Sequence, residues 1–188
     1  HTVRRNPRKF RREGGERAAV QWEENFLLWI QANVRTPFLT PVFKAITRST
    51  DRGGVWLALI FAMLLFPRTR RDGAVCLVTL AAEVLFVNVV LKHAVGRVRP
   101  FHAVEELLPL VRPPDDFSFP SGHTAAAFAV ASALLFAGYG RTASFLLFFA
   151  ALVGFSRVYL GVHYLTDVLA GALIGALIAY GVHAALGG

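Results

Sequence analysis

Five stretches of this chain are almost wholly apolar, at residues 55–67, 73–91, 124–138, 142–155 and 165–185, and the charges fall in short clusters between them. Runs of that length and purity are too many for one water-soluble core. Apolar side chains make up 55% of the 188 residues, above the range usual for a soluble domain, so lipid is the expected solvent for much of the surface. The first run is short against the roughly 20 residues a helix needs to cross a bilayer. The last carries Gly171 and Gly175 four apart, a spacing that lets helices approach closely in lipid.

Ahead of the Asp51-Arg52-Gly53-Gly54 break, residues 18–49 repeat apolar side chains at helical spacing, interrupted at Arg35 and Pro37. Two amphipathic helices on the membrane surface fit this pattern, and one broken transmembrane helix is the alternative. The expected fold is therefore an all-α integral-membrane bundle of about five to six spans with N-terminal amphipathic surface helices. Residues 1–19, with six arginines and Lys9 but no apolar centre, read as a basic arm able to meet anionic headgroups. Residues 20–188 read as one membrane domain. The chain opens on His1 rather than Met, which leaves open that upstream sequence precedes it.

The formal charge of +8 would suggest nucleic acid in a soluble protein. Here, however, 17 of the 20 basic residues are arginines gathered between apolar runs, and no recognition motif accompanies them. Membrane anchoring and phosphate binding explain them better, and no nucleic-acid partner is expected. The lone Cys76 cannot form an intrachain disulfide.

The segment 92–120 is long, polar and proline-rich, and long loops in compact domains tend to be functional or disordered. If spans alternate, it meets the 157–163 connection at one membrane face. His163 and Asp167, four apart at the start of the last run, would share a helix face. Such a pair is either a capping or packing arrangement, or a histidine whose tautomer is fixed so that its other nitrogen is free. Arg157, at the end of an apolar run, is either a snorkelling residue or the holder of an anion. Ser121-Gly122-His123 opens a helix, which is either ordinary capping or an anion site with His123 placed as a general acid. Lys92 and Arg99 add two cations at the same face. Glu83 and Asn88 lie inside the second run, where an interhelical hydrogen bond is the expected role.

In order and spacing these residues match three signatures: Lys92 followed by Arg99-Pro100; Pro120-Ser121-Gly122-His123; and Ser156-Arg157 with His163 and Asp167. The sequence resembles the type 2 phosphatidic acid phosphatase superfamily from about residue 51 onward, with no departure at any signature position. The resemblance implies that His163 attacks phosphorus, Asp167 orients it and His123 protonates the leaving group. It further implies that Lys92, Arg99, Arg157, Ser121 and Gly122 hold the phosphate oxygens, and that no metal or other cofactor is used.

The implied substrate is a lipid phosphate or diphosphate, with undecaprenyl diphosphate first and phosphatidylglycerophosphate or phosphatidic acid as alternatives. A non-catalytic lipid-phosphate binder is the reading from another class. Its mark would be loss of one histidine, and both are present. The implied place is a bacterial plasma membrane, multi-pass, with the site outside. Arg68, Arg70 and Arg71 would then lie inside, as the positive-inside rule expects, whereas the basic arm would not unless 18–49 or an upstream helix crosses.

Overall fold

The computed structural model describes residues 21–186, and every regular element among them is helical. α1 (21–33) and α2 (Leu39–Ser49) form the expected pair of short helices. They bury Leu27, Ile30 and Phe43 against the bundle and turn Trp22, Trp29 and Phe38 outward. The break between them is held in place by the end of a later helix. Arg35 Nε donates to the carbonyl of Tyr159 at 2.9 Å, and the Thr36 N–H donates to the Tyr159 hydroxyl at 2.9 Å.

After the turn Asp51–Gly53 comes α3 (Gly54–Leu65), then α4 (Arg70–Glu83). α4 continues through a π-helical segment, Val84–Leu91, into α5 (Lys92–Val95). Gly96, at φ 62°, ends it in the left-handed conformation that glycine takes at helix ends. A single turn, α6 (Pro100–Ala103), begins the long polar segment, and the remaining helices are α7 (Gly122–Phe136), α8 (Gly140–Tyr159) and α9 (Leu165–Leu186). The second apolar run thus stays helical past its expected end, which puts Lys92 on the helix rather than in the loop.

Three helical runs are long and apolar enough to cross a membrane: Arg70–Ala103, Gly140–Tyr159 and Leu165–Leu186. α3 and α7 are shorter apolar helices of 12 and 15 residues. Together they make an integral-membrane helical bundle, as the sequence leads one to expect. The basic arm expected at residues 1–19 lies outside the described residues.

α7 is the central helix, packed on α9, α8 and α4. Its alanines at 125, 127, 129, 131 and 133 are all buried, so it meets other helices on nearly every side. The small-residue pair of α9 explains how closely it lies. A Cβ on Gly175 would stand 2.2 Å from the carbonyl oxygen of Ala125, and one on Gly171 would stand 2.6 Å from that of Ser121. Neither carbonyl can move without shifting α7. Gly175→Val is therefore expected to cost about 1–3 kcal/mol through overpacking, read as a lowered Tm of the purified protein in detergent.

Candidate active site

Four helix ends meet at one face of the bundle: the C-terminal end of the α4–α5 run, the N-terminus of α7, the C-terminus of α8 and the N-terminus of α9. Helix N-termini favour anions and C-termini favour cations. The sequence follows that rule, with Lys92 and Arg157 in the last turns of α5 and α8. Here a cavity of about 730 Å³ opens, within the size range of small-molecule sites. Lys92, Arg99, Gly122, His123, Arg157 and His163 all line it. Its other wall is apolar, built by Leu57 of α3, Leu77 and Leu80 of α4, and Val84 and Leu85 of the π segment. Leu57, Leu77 and Leu85 are exposed, so this wall is not covered by the rest of the bundle.

His163 is not on a helix face with Asp167. It lies in the turn before α9, whose first residue is Leu165. The turn is tight because Gly161 takes φ 76°. Asp167 then folds back over the helix start, accepting the Tyr164 N–H on Oδ2 at 2.9 Å. This is the reach by which a carboxylate in the first turn satisfies an orphan amide. The same fold-back brings Asp167 Oδ2 to 3.4 Å from His163 Nδ1. That is ion-pair range, although the ring nitrogen lacks hydrogen-bond alignment. Nε2, the other nitrogen, faces Arg99 Nη1 at 3.2 Å on the cavity side.

His163 is 1% exposed. Burial pushes its pKa down to about 3, Arg99 and Arg157 push the same way, and the Asp167 carboxylate opposes them. Burial thus favours the neutral ring, whose cavity-side Nε2 is paired with Arg99 Nη1.

Arg99 is fixed by three acceptors: Val162 O at 2.7 Å, Asp116 O at 2.8 Å and Asp116 Oδ1 at 2.5 Å. Lys92 bonds the other Asp116 oxygen. Burial works against the Asp116 carboxylate, but Lys92 and Arg99 overcome it and hold its pKa at about 2. An acceptor bridging two cations is thus already present at the cavity mouth. Arg157 is buried and donates through Nη1 to Thr47 of α2, while its Nε has no partner. His123 Nε2 meets Asp51 Oδ1 at 2.9 Å, so the expected acid is held by a carboxylate from the turn before α3.

Two of the expected residues stand behind the cavity rather than on it. Ser121 is fully buried, with its N–H donating to the carbonyl of Asp167 at 3.0 Å and its Oγ accepting from Thr124 at 2.9 Å. Asp167 is fully buried behind His163. Glu83 corrects the expectation of an interhelical bond: it is completely buried and neither carboxylate oxygen has a partner. His93 and His102 are surface residues, as expected.

The family model described as the PAP2 superfamily matches residues 72–187, which include all three signatures. The chain belongs to the PAP2 superfamily. It is 33% identical over 126 residues to a protein from Sulfolobus acidocaldarius named undecaprenyl-diphosphatase, covering 67% of this chain and 61% of that one. It is 33% identical over 172 residues to phosphatidylglycerophosphatase B of Bacillus subtilis, covering 85% and 81%. Among solved structures it is similar to a transmembrane PAP2 type phosphatidylglycerolphosphate phosphatase from Bacillus subtilis, with a TM-score of 0.75 and 31% identity over 89% of this chain and 85% of that one.

Around this PAP2 site the structure adds residues that sequence reading passed over. Arg97 Nη1 donates to Asp167 Oδ1 at 2.6 Å, its Nη2 to Glu23 Oε2 at 2.5 Å, and its guanidinium lies 4.0 Å over the Tyr164 ring. Glu23 of α1 in turn accepts the Thr166 N–H at 3.0 Å and the Thr166 hydroxyl at 2.6 Å. The only hint in sequence was that Arg97 is one more cation between Lys92 and Arg99. Glu23 gave none, because its partners are more than 70 residues away.

Two expectations follow. Arg97→Met leaves two buried carboxylates short of a charge partner and should destabilise the protein by roughly 3–5 kcal/mol, whereas the exposed Arg112→Met should change stability by under about 0.5 kcal/mol. Thermal unfolding in detergent separates the two. Because the folded-state pKa of His163 lies far below the ordinary 6.5, the unfolded chain binds a proton there that the folded chain does not. Stability should therefore fall as pH drops from about 6.5 toward 3. His163→Asn should flatten that decline in a Tm series over pH.

Proposed function

We propose that this protein is a lipid phosphate or diphosphate phosphatase that works through a phosphohistidine on His163. The observation that carries the proposal is the buried His163 on the cavity, with Nε2 beside Arg99 Nη1 at 3.2 Å and Asp167 behind Nδ1. Nε2 attacks phosphorus in line with the leaving oxygen, forming the P–N bond as the P–O bond breaks. His123, held by Asp51 on the cavity wall, gives its proton to the leaving lipid oxygen. Lys92, Arg99, Arg157 and the N–H groups opening α7 at Gly122 balance the charge on the remaining phosphate oxygens, which is the main demand of phosphoryl transfer. Asp167 stabilises the charge that appears on the imidazole. Water then attacks the phosphohistidine with His123 as base, and inorganic phosphate leaves. The mechanism calls on no metal.

A lipid substrate is supported by the exposed apolar wall of α3, α4 and the π segment. Undecaprenyl diphosphate is the favoured substrate, in keeping with the Sulfolobus relative's name. Phosphatidylglycerophosphate is the second reading, supported by the longer reach of the Bacillus likeness, 85% of this chain in sequence and 89% in structure. In a bacterial plasma membrane the Arg68, Arg70 and Arg71 end would face the cytoplasm, and the His163 end the extracytoplasmic side.

Purified protein in detergent with excess chelator is expected to release phosphate from undecaprenyl diphosphate faster than from phosphatidylglycerophosphate or phosphatidic acid. His163→Ala should lose at least about 10³-fold while remaining folded, as removing a nucleophile does. Turnover by His163→Ala near the wild-type rate would remove the mechanism. Faster release from phosphatidylglycerophosphate would favour the second reading.

A further inference from the structure

The catalytic scheme leaves one group on the cavity wall without a task. Glu83 closes α4 just where the helix changes to π geometry. It lines the cavity that holds His163, it is 0% exposed, and neither of its carboxylate oxygens has a hydrogen-bond partner. A buried carboxyl left unsatisfied typically costs 1–3 kcal/mol or more, and polar groups within membrane helices are functional candidates for that reason. Leu80, Val84 and Leu85 surround it on the same wall, so a leucine there would complete an apolar lining.

Its depth says what it would meet. Lys92, at the phosphate end, lies nine residues further along the same helical run, which is about 10–13 Å along the axis. Asn88 lies between them on the cavity wall. A group held by Lys92 and Arg99 that continues toward the membrane therefore passes Asn88 and reaches Glu83. A hydrocarbon tail alone would leave that carboxyl unsatisfied.

We propose that Glu83, with Asn88, forms a second polar subsite that hydrogen-bonds an oxygen-bearing group of the leaving lipid, on the membrane side of the transferred phosphate. A carboxyl can accept from a hydroxyl or, when protonated, donate to a phosphate or ester oxygen. The matching chemistry is the second phosphate of a lipid diphosphate or the glycerol oxygens of a glycerophospholipid. Glu83 is thus a specificity residue rather than part of phosphate transfer. The proposal rests on the phosphate end being the Lys92, Arg99 and His163 cluster.

The test compares full-length wild type, Glu83→Leu and Glu83→Gln in detergent. Turnover is measured with undecaprenyl diphosphate, phosphatidylglycerophosphate and phenyl phosphate, and lipid binding as the Tm rise on adding each lipid to a His163→Ala background. Glu83→Leu should raise Tm without lipid, lower kcat/KM about tenfold or more for the preferred lipid, and leave phenyl phosphate within about twofold. Glu83→Gln, which keeps a hydrogen-bonding group, should recover most of the lost kcat/KM. A loss confined to the diphosphate assigns the subsite to the second phosphate, and a loss confined to the glycerophospholipid assigns it to glycerol. Unchanged lipid turnover in Glu83→Leu, or equal losses on lipid and phenyl phosphate, overturns the proposal. If wild type released no phosphate from either lipid, the phosphatase reading would fail by itself. The Tm rise would still decide the subsite, since equal rises with and without the Glu83→Leu change refute it.

Discussion

The Asp167 carboxylate is the interaction on which the rest of this site depends. It is wholly buried, and it accepts from Arg97, from the Ser118 hydroxyl at 2.5 Å and from the Tyr164 N–H while facing His163. A buried carboxylate with fewer partners would be a serious loss of stability, so each donor is a condition of folding. The donors come from different parts of the chain. Ser118 and Arg97 belong to the long polar segment, whose ends are joined by the Ser118 N–H donating to the Arg97 carbonyl at 2.8 Å. Tyr164 belongs to the turn before α9, and Arg97 carries the link on to Glu23 of α1. The polar segment is thus a fixed wall of the site rather than a loose connection. α1, which contributes nothing to the cavity lining, is tied through Arg97 to the carboxylate beside His163.

The second constraint is the opposite one, an excess of positive charge. Lys92, Arg99 and Arg157 are all nearly excluded from water, and among them Asp116 is the carboxylate that bonds Lys92 and Arg99. Asp116 is half-exposed, so the pairing sits at the mouth and leaves Arg157 deeper in the site. Like charges crowded in a poorly polarisable environment raise the energy of the folded state without a ligand and strengthen the attraction of an incoming anion. Lys92 and Arg157 are placed in the last turns of α5 and α8, where helix dipoles offset part of the repulsion, while Arg99 precedes α6. Thr47 supplies Arg157 with an acceptor that carries no charge. α2, packed on α8, is thereby drawn into the site from outside the segment that matches the family model.

Much of this was legible in sequence, for identifiable reasons. Apolar runs report helices in lipid directly, and Gly171 and Gly175 announced a close contact whose partner, α7, only the fold could name. Eight residues of the three signatures were expected at the site, and six of them line one cavity. The spacing of His163 and Asp167 predicted a shared helix face. The pair does meet, but by a carboxylate folding back over a helix start, because Gly161 bends the chain and Asp167 caps Tyr164. The supporting contacts of Glu23, Thr47 and Asp51 bridge 74, 110 and 72 residues, and no local pattern encodes such pairings. The π segment was equally hidden. It changes which side chains of an unbroken apolar run face inward, and composition does not register that.

The close packing of α7 on α9 and the chemistry at their ends are one arrangement. Gly171 lets α9 approach until the Ser121 carbonyl fills the space a side chain would take, and the Ser121 N–H then reaches the carbonyl of Asp167. The helix start presented by Gly122 and His123 is therefore set in register with His163 by backbone contacts that need glycine at 171. The apolar wall is under no such constraint. It is built by side chains of α3, α4 and the π segment, none of which is among the donors to Asp167. The donors that hold Asp167 and the side chains of the apolar wall thus come from separate parts of the bundle.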